Sequence, residues 1–310
     1  ESIIPALVNQ GIPLEEAVNY AVVGCVELTT PGNNLGWSDA AMFNMVKALE
    51  LTINDGVCLL SGERIGLETG TLADYRSFSE LEAAFVSQID FFIEKMIKAT
   101  KVVDRLHALV LPSPMLSSVI DDCVETGVEV TAGGARYNYS GIQAIQVAKI
   151  ADSLAVLKKY VFEDRKIDGQ ALLDAVRSDF ANDEVLRQRL LNKVPKYGND
   201  VDWVDELGLK WVRHFANRMT EFKNVRGGPY HTGLYTVSAH VPMGQNVGAT
   251  PDGRHARTPL ADGGLSAVYG RDRKGPTALI NSVSKIDSMY GSNGTLLNMK
   301  FLPDAFRTRE

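Results

Sequence analysis

Cys25 and Glu27 stand two residues apart in Gly24-Cys25-Val26-Glu27, directly after the apolar run Ala21-Val22-Val23. A thiol offers a reactive sulfur and a nearby carboxylate can move a proton, so the two could act on one substrate. In an extended segment residues i and i+2 project to the same side, which would place both groups on one face. The plainer reading is a buried small side chain beside a solvated Glu, because Cys is often buried for packing alone. Four residues do not decide between the two.

Gly and polar residues are dense in three segments: 24–39, 133–141 and 226–264. Loops on a rigid scaffold are where binding and catalytic groups concentrate. Several familiar chemistries find no support in them. Gly133-Gly134 is not a dinucleotide fingerprint, and neither a phosphate-binding loop nor a Gly-x-Ser-x-Gly elbow occurs. A Cys/His hydrolase would need Cys25 to meet His231 or His240, both of which read first as hydrogen-bonded structural groups. Asp252-Gly253-Arg254 has the residues of a turn. Lys158-Lys159 reads as a solvated helix end.

The bulk properties narrow the class. With 310 residues, 45% of them hydrophobic and 23% charged, the chain suits a soluble globular protein, and the alternation of helices with short apolar strands set out below suggests an α/β domain. The net charge of −6 and the lack of a Lys/Arg run argue against nucleic acid. No apolar stretch has the length of a membrane span. The three Cys, at 25, 58 and 123, cannot all pair internally and suggest a reducing, cytoplasmic setting. The five His are scattered and no CxxC occurs, so no metal site is expected. The chain does not begin with Met, and Phe306–Glu310 closes no recognisable element, so a piece of a longer protein is expected.

The elements that must carry these loops follow from periodicity. Short helices are predicted over 3–8 and 13–20, then a buried strand over 21–26. Ser38 reads as the N-cap of a helix to Asp55, with Asp39 in its first turn and Gly56 as its stop. Its core stripe is Met42, Met45, Val46, Leu49 and Ile53. Ser79 and Glu82 have capping-box spacing and open a long helix over about 80–110. Its inward residues are Leu81, Phe85, Ile89, Ile93, Met96 and Ile97, and Pro112 and Pro114 stop it. A helix over 115–126, a strand over 128–131 and a helix over 142–162 are predicted next. Region 168–222 reads as an outer helical layer, and Leu234 to Val241 as a strand.

Together these segments resemble the glycyl radical enzymes, the superfamily of pyruvate formate-lyase and the glycerol and diol dehydratases. The resemblance covers essentially the whole chain, 1–310, as a partial catalytic domain. It rests on Gly24-Cys25-Val26-Glu27, Gly36-Trp37-Ser38-Asp39-Ala40-Ala41, Gly134-Ala135-Arg136-Tyr137-Asn138 and Ala151-Asp152-Ser153-Leu154-Ala155. Ala249-Thr250-Pro251-Asp252-Gly253-Arg254, Pro259-Leu260-Ala261-Asp262-Gly263-Gly264 and the run from Asn293-Gly294-Thr295 to Phe301 complete it.

The resemblance implies part of a ten-stranded α/β barrel wrapped by helices. It implies that Cys25 becomes a thiyl, Glu27 a general base on a substrate hydroxyl, and Asp39 a holder of substrate hydroxyls. The expected activity is a thiyl-initiated C–O lyase, a dehydratase of a small polyol such as glycerol or a 1,2-diol. The radical would start on a Gly outside this chain, installed by a radical S-adenosylmethionine activating enzyme, with no bound cofactor or metal. A homodimer is implied too. The family's Arg-Val-x-Gly-Tyr motif is absent, so the glycyl radical domain is expected to be missing and the chain alone inactive. Two alternatives stay open: formate C-acetyltransferase, against which Gly24 counts because that activity has two adjacent cysteines here, and a non-catalytic homologue or fragment.

Overall fold

The computed structural model describes residues 3–301. Three parallel strands, β3 (Trp37–Asn44), β4 (Ser140–Ile145) and β5 (Tyr230–Gly233), form a sheet in the order β3-β4-β5. A separate antiparallel hairpin pairs β1 (Ala21–Val23) with β2 (Glu27–Thr29). Every residue of the central strand β4 is buried, as expected where helices cover a parallel sheet. Strand alternation then splits β4. Ile142 and Ala144 belong to the main apolar core, and Gly141 and Gln143 project from the other face.

The core is made by helices Met45–Ile53, Phe78–Val110, Val147–Val156 and Asp202–Thr220 against that sheet. Of the predicted inward stripe, Leu81, Phe85, Ile89, Ile93 and Ile97 are buried, and Met96 packs against the core's edge. The helices Gly169–Arg177, Glu184–Asn192 and Asp202–Thr220 supply the outer layer expected over 168–222.

Several boundaries differ from the sequence reading. Ser38 is no N-cap. Residues 37–44 pair with β4, and the helix begins at Met45, where the Asn44 side chain accepts the Lys47 N–H at 3.2 Å. Tertiary pairing overrides a local cap signal there. The long helix is capped by Ser77, which accepts the Glu80 N–H at 3.2 Å, two residues before the expected box. Gln146 at φ 84° breaks the stretch 142–162, so Ile142 is strand and the helix starts at Val147. Only short helices form over 115–126, a 3-10 turn replaces the strand at 128–131, and the last strand is Tyr230–Gly233 rather than 234–241.

Candidate functional site

The turn Gly24-Cys25-Val26 joins β1 to β2, with Val23 opposite Glu27. The predicted strand over 21–26 therefore breaks at Gly24, whose φ of +64° only glycine adopts readily. A Cβ there would also lie 2.9 Å from Glu27 Oε1. Glu27, itself buried, turns back across the turn, and its Oε2 accepts the N–H groups of Cys25 and Val26, each at 2.7 Å. The carboxylate is thus tied to Cys25 through the backbone, not through the i, i+2 alternation that the sequence suggested. Hydrogen bonds to an ionised acceptor are strong, and two of them fix the tip of the hairpin.

Cys25 is exposed and free. It lines a cavity of about 250 Å³ together with Ile3, Val22, Leu28, Gly291 and Gly294. Gly294, at φ +102°, packs directly on the hairpin: a Cβ on it would lie 2.2 Å from the Val26 carbonyl. No histidine lines this cavity, so the Cys/His pairing weighed above is not formed.

Asp39 sits where β3 leaves its ladder. Trp37 pairs with Ser140 and Ala41 with Ile142, so Ser38, Asp39 and Ala40 stand opposite the single residue Gly141. Bulges of this kind re-aim side chains beside functional sites. Asp39 is exposed, yet its carboxyl lies above the usual range. Partial burial is the main cause, a hydrogen bond from Gln143 pulls it back down, and the negative Glu27 pushes it up. The two carboxylates therefore share one field, and the fold brings Cys25, Glu27 and Asp39 into a single region.

Four residues to which the sequence reading gave no site role complete this region. Tyr235 is fully buried, and burial together with Glu27 and Asp39 pushes its hydroxyl well above the usual range. Tyr139 donates to the Leu28 carbonyl next to Glu27. Gln143 Nε2 reaches Asp39 Oδ1 at 3.4 Å, and Asn293 lies beside the Tyr235 hydroxyl at 3.5 Å. A usable signal existed for Gln143, the one polar residue within the apolar run Ile142–Ile145.

His231 corrects its expected role. It is buried without a hydrogen bond to either ring nitrogen and stacks on Tyr139 instead, with ring centroids 4.3 Å apart and planes 9° from parallel. Burial pulls its pKa down to about 3, so the ring is neutral. It lines a second cavity of about 280 Å³ with Asn138, Tyr139 and Arg226. His240 Nδ1 lies 3.9 Å from Asp262 Oδ1, beyond hydrogen-bond reach, and has no other partner among the described residues, so the hydrogen bond expected of it is not formed at that nitrogen. The Asp252 turn forms as read; Lys159 is half-exposed beside Glu163 and Asp164, whereas Lys158, expected to be solvated, lies over the rings of Phe78 and Trp203 at 5.9 and 5.8 Å. Among the described residues no group of three or more His, Cys, Asp or Glu could hold a metal ion, and no helix is long and apolar enough to cross a membrane.

The family model described as Pyruvate formate lyase-like matches residues 1–244, and that described as Glycine radical matches 261–310. The chain is 38% identical to the (2S)-3-sulfopropanediol dehydratase of Klebsiella oxytoca, over 97% of its own length and 37% of that protein's. It is 36% identical to the trans-4-hydroxy-L-proline dehydratase of Clostridioides difficile, covering 98% of itself and 38% of the relative. The glycerol-bound B12-independent glycerol dehydratase from Clostridium butyricum superposes with a TM-score of 0.95 at 43% identity, over 99% of this chain and 39% of that one. The chain thus spans under two fifths of these relatives, and its sheet and helices are part of the α/β barrel that the resemblance implied. With family models matching 1–244 and 261–310, the chain belongs to the pyruvate formate lyase-like family of glycyl radical enzymes.

Proposed function

We propose that this chain is the partial catalytic domain, over 1–310, of a glycyl radical C–O lyase that dehydrates a small polyol such as glycerol or a 1,2-diol. The observation that carries the reading is the Cys25 hairpin: an accessible sulfur at the edge of an apolar cavity, fixed by the Glu27 carboxylate. The names of the dehydratases matched above supply the reaction class.

Residues 261–310 match the Glycine radical model, so that domain is present in part rather than missing as expected; the Arg-Val-x-Gly-Tyr pattern does not occur among the 310 residues, and in this reading the radical-bearing Gly lies outside them. The apolar, glycine-bordered cavity beside Cys25 fits a main-chain loop approaching the sulfur. When present, the glycyl radical supplies the unpaired electron at Cys25. An activating enzyme of the radical S-adenosylmethionine class, a homodimer and a cytoplasmic, anaerobic setting belong to the same reading.

The chain's own residues then divide the work. Cys25 sulfur takes a hydrogen atom from the carbon bearing one hydroxyl. Glu27 takes that hydroxyl's proton and returns it to the neighbouring hydroxyl, which leaves as water. Cys25 gives the hydrogen atom back to the second carbon, leaving an aldehyde or ketone and the starting thiol. Asp39 holds the substrate hydroxyls in register for these transfers, and the apolar walls keep solvent from the intermediate.

Gly24 weighs against formate C-acetyltransferase on physical grounds. A second cysteine at that position would take a left-handed backbone and press on the Glu27 carboxylate. The test is anaerobic activation of the full-length protein, followed by a screen of glycerol, propane-1,2-diol and pyruvate with coenzyme A. Aldehyde formation that vanishes in Cys25→Ala is the expected result. Turnover that survives Cys25→Ala, or formate from pyruvate, would refute the reading.

A further inference from the structure

One backbone oxygen beside Asp39 draws donors from three side chains. The Ser38 carbonyl accepts from Asn293 Nδ2 at 2.6 Å, Gln143 Nε2 at 2.8 Å and Tyr235 Oη at 3.1 Å. A carbonyl has two lone pairs, so three donors over-determine its position. The donors come from three separate segments: β4, the residues after β5, and the loop before Gly294. All three side chains are buried. The bulge at 38–40 is what takes this carbonyl out of the regular ladder and offers it to side chains.

Two glycines make the convergence possible. A Cβ at Gly141 would lie 2.2 Å from both the Ser38 carbonyl and Asn293 Nδ2. A Cβ at Gly233 would lie 1.8 Å from Gln143 Oε1. Neither glycine has a positive φ, so ordinary backbone freedom does not explain them; space for the clamp does. Gln143 does double duty, because the same Nε2 also reaches Asp39 Oδ1 at 3.4 Å.

We propose that Gln143, Tyr235 and Asn293 are positioning residues that clamp the bulged Ser38 carbonyl and so aim the Asp39 carboxylate at the substrate. The inference rests on the reading that Asp39 holds substrate hydroxyls. The clamp touches the backbone beside Asp39 and leaves the Cys25 hairpin to its own hydrogen bonds. Loosening it weakens substrate binding and spares the radical chemistry. The titratable groups that face Asp39 are Glu27 and Tyr235.

The experiment uses the activated full-length protein, with glycerol and propane-1,2-diol as probes and the radical yield read by electron paramagnetic resonance. Asn293→Ala and Gln143→Met should each raise KM about fivefold, the effect of one lost hydrogen bond. The radical yield should not change and kcat should stay within about twofold. The acid limb of kcat/KM should move to higher pH in Gln143→Met alone, because only Gln143 touches the carboxylate and lowers its pKa. A merely structural role would not separate the two variants in this way.

Asp39→Asn is the control. If it raises KM while the clamp variants do not, the clamp is refuted and the role of Asp39 stands. If it leaves KM unchanged, the reading of Asp39 fails and the clamp fails with it. A fall in kcat and radical yield at unchanged KM in the clamp variants also overturns the proposal. Should Asn293→Ala melt early, Tyr235→Phe, which removes one hydroxyl and keeps the ring, carries the same KM test.

Discussion

The turn Gly24–Val26 and the turn Thr250–Arg254 are made of similar materials: a left-handed glycine close to a carboxylate. At Asp252 every oxygen is answered. Oδ2 pairs with Lys149 Nζ at 2.6 Å, and Oδ1 accepts from Thr250 at 2.6 Å and Ser153 at 3.3 Å. Burial alone would push the Asp252 carboxyl up, but Lys149, the Thr250 hydrogen bond and the charge of Lys196 hold it below its usual range. Arg254 is spent on the carbonyls of Gly244, Gly248 and Thr258. At Cys25 the carboxylate fixes only the backbone, and the sulfur is left facing a cavity. A Gly-rich polar loop is therefore not a site by composition. It is one where a reactive atom keeps an open side.

The sharpest way to break this contrast is to swap charge for amide in each turn of the full-length protein. Glu27→Gln keeps the size and an acceptor for the turn N–H groups. It should lower kcat of the activated protein by about 10²- to 10⁴-fold, the range of a lost general base, with only a small fall in melting temperature from the weakened turn hydrogen bonds. Lys149→Met, beside Asp252, should do the opposite. Leaving a buried Asp unpaired costs about 3–5 kcal/mol, to be read by denaturant unfolding, with Cys25 chemistry intact in the folded fraction. A stability loss in the first variant as large as that in the second, or none in the second, would erase the distinction between the two turns.

A smaller effect sharpens the hairpin side. Gly24→Ala must hold a left-handed φ, which costs about 1–2 kcal/mol, and its Cβ would press on Glu27. Lowered kcat with a small fall in melting temperature is expected. A fully active Gly24→Ala would mean that Glu27 does not need its present place.

Much of this was legible in residue types. The long helix, the outer layer and the Cys25–Glu27 pair follow from periodicity and motif, because each depends on neighbours in sequence. What escaped depends on pairing across the chain. Asn44 became a cap and Ser38 a bulge residue only because β3 lies on β4. The contact between Asn293 and Ser38 spans 255 residues, and no local pattern encodes it. The fate of Lys149 and Asp252, 103 residues apart, was hidden in the same way.

His231 gives the last and mildest test, since it lies in the sealed part of the molecule yet beside Tyr139. Its folded pKa is about 3, against 6.5 for the free side chain, with burial as the cause. Below pH 6.5 the unfolded chain takes up a proton that the folded ring refuses. Stability from this group is therefore complete above pH 6.5 and is lost as pH falls toward 3, by at most about 1.4 kcal/mol per pH unit. Asp152, pushed up to about 7 chiefly by burial, works with the opposite sign and weakens the fold as pH rises from 3.8. A direct pH profile mixes the two, so the difference between wild type and His231→Phe isolates the histidine. Phe preserves the stack on Tyr139 and removes the titration. Wild type should lose stability relative to His231→Phe as pH falls from 6 to 4, so the gap between the two unfolding curves changes with pH. A constant gap between them would show that His231 is solvated, and would move its cavity from the structural side of the comparison to the chemical one.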